Sequence, residues 1–157
     1  PTENDQYFRN EQIWGTVHDQ TAALLGGVAG NAGLFGNANE VAKIMQMYLW
    51  HGRYGGIEYV RQNVVDDFTQ RHSAGNRRGY GFDKPERNGG GPVCDEASQS
   101  SFGHSGFSGT FVWADPEADL LFVFLSNRIC PNAYNNKLTK LSIRSRIHQI
   151  AYKAICK

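Results

Sequence analysis

Two stretches of the chain arrange their apolar residues strongly enough to name elements. Between Asn37 and Gly52, Val41, Ile44, Met45, Tyr48 and Leu49 recur at the i, i+3, i+4, i+7, i+8 spacing of one buried helical face. Asn37 followed three residues later by Glu40 forms a capping box in its asparagine variant, and Gly52 stands where a C-terminal stop belongs. This spacing predicts a helix. Further on, Thr110 to Trp113 and Leu120 to Leu125 are β-branched, aromatic and aliphatic runs of strand length, and the Asp115, Pro116, Asp119 segment between them carries turn chemistry. They predict a hairpin. Leu120 to Leu125 is apolar at every position, which suits a strand covered by helices on both faces and central in its sheet.

The remaining segments are less strongly patterned. Pro1 to Gly15 is polar and reads as a loop, and Gly15 to Gly36 holds six glycines among small and aliphatic residues, a density that implies tight turns and close packing. Val60, Val64, Val65 and Phe68 suggest a second, shorter helix ending before His72. Gly79 to Phe82 reads as a short aromatic-glycine strand. Lys84 to Ser100, with Asn88-Gly89-Gly90-Gly91-Pro92, reads as a mobile surface excursion. After a turn-rich link, Lys137 to Lys157 reads as a final amphipathic helix lying on the sheet, with Leu138, Leu141, Ile147, Ile150, Ala151, Ala154 and Ile155 inward. The fold class is therefore α+β: a three-stranded antiparallel sheet with a C-terminal helix packed on it and helices upstream, residues 1–75 mainly helix and loop, residues 76–157 sheet and final helix.

At 157 residues, 40% hydrophobic and 20% charged, the chain has the makings of one globular domain. Its 16 basic and 15 acidic residues are interspersed and leave a net charge of +1, which offers no electrostatic footprint for nucleic acid or anionic lipid. The expected partner is a small molecule or a peptide. No apolar run approaches the ~18 residues of a membrane span. The chain opens on Pro1, so its start reads as a cut, with any export signal upstream. Cys94, Cys130 and Cys156 lie far apart and form no C-x-x-C pair, and the histidines show no H-E-x-x-H spacing. Neither a metal site nor a disulfide framework follows. The glycine-rich stretch is no phosphate loop either, lacking G-x-x-x-x-G-K-[ST], so no cofactor is expected.

The candidate chemistry lies in Ser101 to Asn127, where Gly103, Gly106 and Gly109 punctuate His104, Ser105 and Ser108. Glycine inside a strand marks a bulge or the close approach of another backbone or a ligand. Neither Ser105 nor Ser108 fits the G-x-S-x-G nucleophile elbow. His18 and Asp19 are adjacent and so seldom aim at one target; a structural cap or hydrogen bond is the better reading.

His104-Ser105-Gly106 resembles the third motif, K-T-G or H-S-G, of serine β-lactamases, penicillin-binding proteins and their esterase relatives. Gly15-Thr16-Val17-His18-Asp19, Gly26 to Phe35, Gly79 to Phe82, Asp115-Pro116 and Ser126-Asn127-Arg128 extend the resemblance along nearly the whole chain. It is similar in particular to the β-lactamase-like domains sometimes fused behind a family 3 glycoside hydrolase. The resemblance implies the C-terminal portion of a β-lactamase/transpeptidase-like fold in a bacterial periplasm or cell envelope. It further implies His104, Ser105 and Gly106 as substrate-binding residues, the Phe107 backbone N–H as one arm of an oxyanion hole, and Asn31, Leu34 and Phe35 as groove wall. Histidine carries less charge than lysine near neutrality, which tilts the expected activity toward an esterase or peptidase.

Two departures matter. Asn31 stands where the subgroup commonly has histidine, and no S-x-x-K occurs, so the family's nucleophile and general base are absent from these residues. Tyr134-Asn135-Asn136 spells Y-x-N but follows the third motif, in what reads as a surface turn. The expectation is a C-terminal fragment of a serine hydrolase, inactive alone, whose partner is the N-terminal part of the same domain and which associates with itself when that part is missing. The alternative is a noncatalytic binding or scaffolding module.

Overall fold

The structure, a computed structural model, describes residues 1–89 and 91–155. In chain order it forms β1 (Glu3–Asp5), β2 (Glu11–Ile13), α1 (Gln20–Leu24), α2 (Ala38–Leu49), β3 (Arg53–Tyr54), β4 (Ile57–Glu58), α3 (Gln62–Thr69), β5 (Phe102–Ser105), β6 (Phe111–Asp115), β7 (Leu120–Phe124), α4 (Lys137–Lys140) and α5 (Ile143–Ile155). The strands β1 and β2 pair with each other, as do β3 and β4, and β5-β6-β7 form an antiparallel sheet in that order. The architecture is α+β, as the sequence predicts.

The sheet sits between helices. Strand β6 alternates its side chains across the pleat. Phe111 and Trp113 join Val93, Cys94, Ala97 and Tyr152 of α5 in one core, while Ala114 joins Phe102 and Met45 of α2 in another. The Asn37 carboxamide oxygen accepts the Glu40 N–H at 3.1 Å, so the cap read from sequence is in place, although Ile44 is exposed. Asp115 closes the β6–β7 turn by accepting from the N–H groups of Glu117 and Ala118.

Four expectations are corrected. The central strand is β6, not β7: Phe111, Trp113, Ala114 and Asp115 are buried, whereas every residue of β7 is half-buried and β7 forms one edge of the sheet. Helices do cover both faces of β7, and that cover is what its unbroken apolar run reports. Gly79 to Phe82 is a turn closed by the Gly79 N–H on the Phe82 carbonyl, and a single bridge, Asp83 to Gly103, ties it to β5. The Lys84–Ser100 connector is anchored by Lys84, Val93, Cys94 and Ala97, all buried, and the Lys84 ammonium donates to the Ser100 carbonyl at 2.7 Å.

The final helix breaks at Ser142, where φ is +49°, and its buried residues are His148 and Tyr152. Leu141, Ile150 and Ile155, expected inward, are exposed. The expected end of this helix at Lys157, together with Cys156, lies outside the described residues. Among the described residues no helix is long and apolar enough to cross a membrane.

Candidate active site

Strand β5 carries His104 opposite Val112 and Ser105 opposite Phe111. Gly103 is glycine because β6 leaves no room for more: a Cβ there would lie 2.1 Å from the Val112 carbonyl oxygen and 2.4 Å from the Trp113 ring. The close visitor is thus the neighbouring strand. On its other side β5 takes the 77–83 turn, whose Asp83 exchanges two backbone hydrogen bonds with Gly103 and accepts from the Arg77 guanidinium at 2.6 and 3.1 Å. The hydrogen bond to Asp83 raises the pKa of Arg77, so its guanidinium stays charged.

The turn also brings in Arg78, whose Nη1 lies 2.6 Å from His104 Nε2. A guanidinium can only donate, so Nε2 accepts and the ring proton sits on Nδ1, which donates to the Ser105 carbonyl at 2.9 Å. Arg78 is a cation that no sequence motif marks, because 26 residues separate it from His104. Among the described residues the Ser105 hydroxyl has no hydrogen-bond partner.

Beyond Ser105 the chain turns through Gly106 to Gly109. All four carbonyls of this loop are engaged: Gly106 by Arg144, Phe107 and Ser108 by the side chain and the N–H of Arg128, and Gly109 by Ser126 and Arg144. Gly109 has φ +127°, and a Cβ there would press on Ser126, so the turn needs glycine. The N–H groups of Gly106 and Gly109 bond within the turn, to Thr110 and Gly106. By contrast, among the described residues nothing accepts from the N–H groups of Phe107 and Ser108. The Phe107 ring, exposed, stacks on His18 at 5.3 Å and lies under the Arg128 guanidinium at 4.3 Å.

A cavity of about 490 Å³ opens beside Phe107, lined also by Glu3, Asp5, His18, Asp19 and Tyr134. Its carboxylates are already occupied. Glu3 meets Arg9 and His18, Asp5 accepts from Tyr7, Phe8 and Arg9, and Asp19 caps α1 through the Ala22 N–H and accepts from Asn31. The cap role read for Asp19 is therefore present. Of the groove-wall candidates, Asn31 reaches the cavity rim through Asp19, whereas Leu34 and Phe35 are exposed and do not line it. Tyr134 does line it, from a surface turn.

A second cluster is a poor nucleophile. Cys94 lies 3.4 Å from His148 Nδ1, but burial pushes the thiol up to about 11 and the imidazole down to about 4, so both are neutral near pH 7. Among the described residues no group of three or more His, Cys, Asp or Glu could hold a metal ion.

Residues 3–142 match the family described as Beta-lactamase. Proteins named "Putative D-alanyl-D-alanine carboxypeptidase" from Salmonella agona, Salmonella paratyphi B and Salmonella newport are each 34% identical over 126 residues, which is 77% of this chain and 28% of the relative. The chain thus spans under a third of the length of the curated relatives it matches.

Proposed function

The chain belongs to the beta-lactamase family, and from that premise we propose that it supplies the substrate-binding strand and one oxyanion donor of a serine hydrolase acting on an amide, ester or lactam. The observation that carries this reading is the 106–109 loop, where every carbonyl is engaged while the Phe107 N–H is left without an acceptor among the described residues. A donor held rigid and unspent is what a developing oxyanion needs. His104, Ser105 and Gly106 orient the substrate along β5, with Asn31 at the cavity rim, and Arg78 beside His104 supplies the cation for a substrate carboxylate. The relatives' name and that cation favour a peptide with a free C-terminal carboxylate.

No S-x-x-K occurs in these 157 residues, so serine and lysine come from the rest of the domain and the chain by itself is inactive. In the assembled site the serine oxygen attacks the substrate carbonyl carbon, its proton passes to the lysine, and the carbonyl oxygen becomes the oxyanion facing the Phe107 N–H. Collapse breaks the bond to the leaving amine or alcohol, which departs with that proton, and water then releases the acyl group. The edge of β7, unpaired among the described residues, and the exposed side of α5 are where the rest of the domain docks, and without it the chain self-associates. The setting is a bacterial cell envelope.

The test is labelling with a fluorescent penicillin. The 157-residue chain should take no label, while the longer protein that joins it to an S-x-x-K segment should be labelled on that serine. Labelling of any serine within the 157 residues would sink the division of roles, and a longer protein that binds penicillin without acylation would favour the noncatalytic module.

A further inference from the structure

Arg144 lies in the first turn of α5, far in sequence from β5, yet its Nη2 donates to the Gly106 carbonyl at 2.7 Å and its Nε to the Gly109 carbonyl at 3.2 Å. The Gly106 carbonyl and the Phe107 N–H belong to one planar peptide group, and that group is trans, so the two bonds point in opposite directions. A guanidinium fixed at the oxygen end therefore fixes where the N–H end points. It also draws electron density toward oxygen through the amide resonance, which makes the N–H a stronger donor. We propose that Arg144 is a positioning residue for the oxyanion hole, holding and polarising the Gly106–Phe107 peptide so that the Phe107 N–H meets the developing negative charge. This rests on the hydrolase reading above and assigns that site a residue which no motif marks.

The charges around the loop make the same point. Arg128, whose Nε donates to the Phe107 carbonyl at 2.7 Å, is close enough for its charge, after burial, to lower the pKa of Arg144. Among the described residues neither guanidinium has a carboxylate within ion-pair distance. Two cations held together without a counter-ion repel each other and are a poor way to brace a turn, because a neutral donor would satisfy the same carbonyls with no repulsion. They become favourable when an anion forms on the far side of the peptide. The oxyanion is that anion, and it exists only along the reaction path, so the two charges act on the transition state more than on bound substrate.

The test compares Arg144→Met and Arg144→Lys with wild type in the longer, penicillin-acylating protein, reading the acylation rate constant, the dissociation constant of the preceding complex, and the acyl-enzyme carbonyl stretch by difference infrared spectroscopy. Arg144→Met should slow acylation roughly 10- to 100-fold, less than outright loss of an oxyanion donor. It should leave the dissociation constant within about twofold and move the acyl carbonyl stretch to higher frequency, because a weaker donor polarises that carbonyl less. Arg144→Lys keeps the charge but replaces the planar fork with a single ammonium on a flexible stem, and should fall between. A change in thermal stability alone, with rate and frequency as in wild type, would make Arg144 a structural tie and overturn the inference. If Arg144→Met does not fold, Arg144→Lys decides by the same two readings. Wild-type protein that never acylates removes the hydrolase reading and this inference with it, an outcome distinct from a wild type that acylates and an Arg144 variant that matches it.

Discussion

The face of α5 turned toward the sheet carries Arg144, His148 and Tyr152, while Ile150 on its other side is 66% exposed. By hydropathy alone the two faces are the wrong way round. The inward face is stable because its polar groups meet partners: the Tyr152 hydroxyl donates to Asp115, Cys94 meets His148, and Arg144 meets the loop carbonyls. The outward face is apolar with nothing over it among the described residues. A buried side is thus recognised by what its groups bond to rather than by hydropathy.

The comparison can be broken most sharply at Asp115. This buried carboxylate accepts from the Ser98 hydroxyl and N–H, the Tyr152 hydroxyl, and the N–H groups of Glu117 and Ala118. Asp115→Ala leaves the buried Tyr152 hydroxyl and the partly buried Ser98 and turn donors unmet, and should lower unfolding free energy by roughly 3 kcal/mol or more in urea titration. A loss below ~1 kcal/mol would mean that bonding does not hold the inner face.

A smaller, pH-dependent effect comes from His148, which burial holds down at about 4 from its ordinary 6.5. Above pH 6.5 the imidazole is neutral in both states and its contribution to stability is complete. Between pH 6.5 and about 4 the unfolded chain takes up a proton that the folded one refuses, so stability should fall across that window and level off below it. His148→Leu should flatten this stretch of the stability curve. Burial pushes the Asp115 carboxyl up, but the bonds from Ser98 and Tyr152 outweigh it and hold its pKa below the ordinary carboxylate value. Its contribution therefore persists in both proteins until the pH falls below about 4.

The smallest effect on stability is expected outside. Ile150→Glu should change monomer unfolding free energy by no more than about 0.5 kcal/mol. It should nevertheless reduce self-association, read by sedimentation at micromolar concentration. A wild-type chain that sediments as a compact monomer would show that this face needs no cover.

Local signals were readable in the sequence. The Asn37 cap, the helix after it and the hairpin after Ser105 each depend on neighbours within a few residues, and each is present. Burial by polar partners was not readable, because Arg144, His148 and Tyr152 look like a solvent face until Gly106, Cys94 and Asp115 are brought to them. The same holds for Arg78 and for the core role of Val93, Cys94 and Ala97 in a segment whose glycines suggest looseness. Centrality in a sheet is a matter of ladder partners, on which hydropathy is silent, and so β7 looked like the middle strand. The His104-Ser105-Gly106 motif drew attention to this loop, and what braces the loop came from the structure.

The bracing of the 106–109 loop also has an order in time. Gly106 leaves the ribosome 38 residues before Arg144, so during synthesis the turn exists before the charge that steadies its peptide. Whatever donor strength the Phe107 N–H draws from Arg144 is therefore gained only once α5 has docked, later than the turn itself.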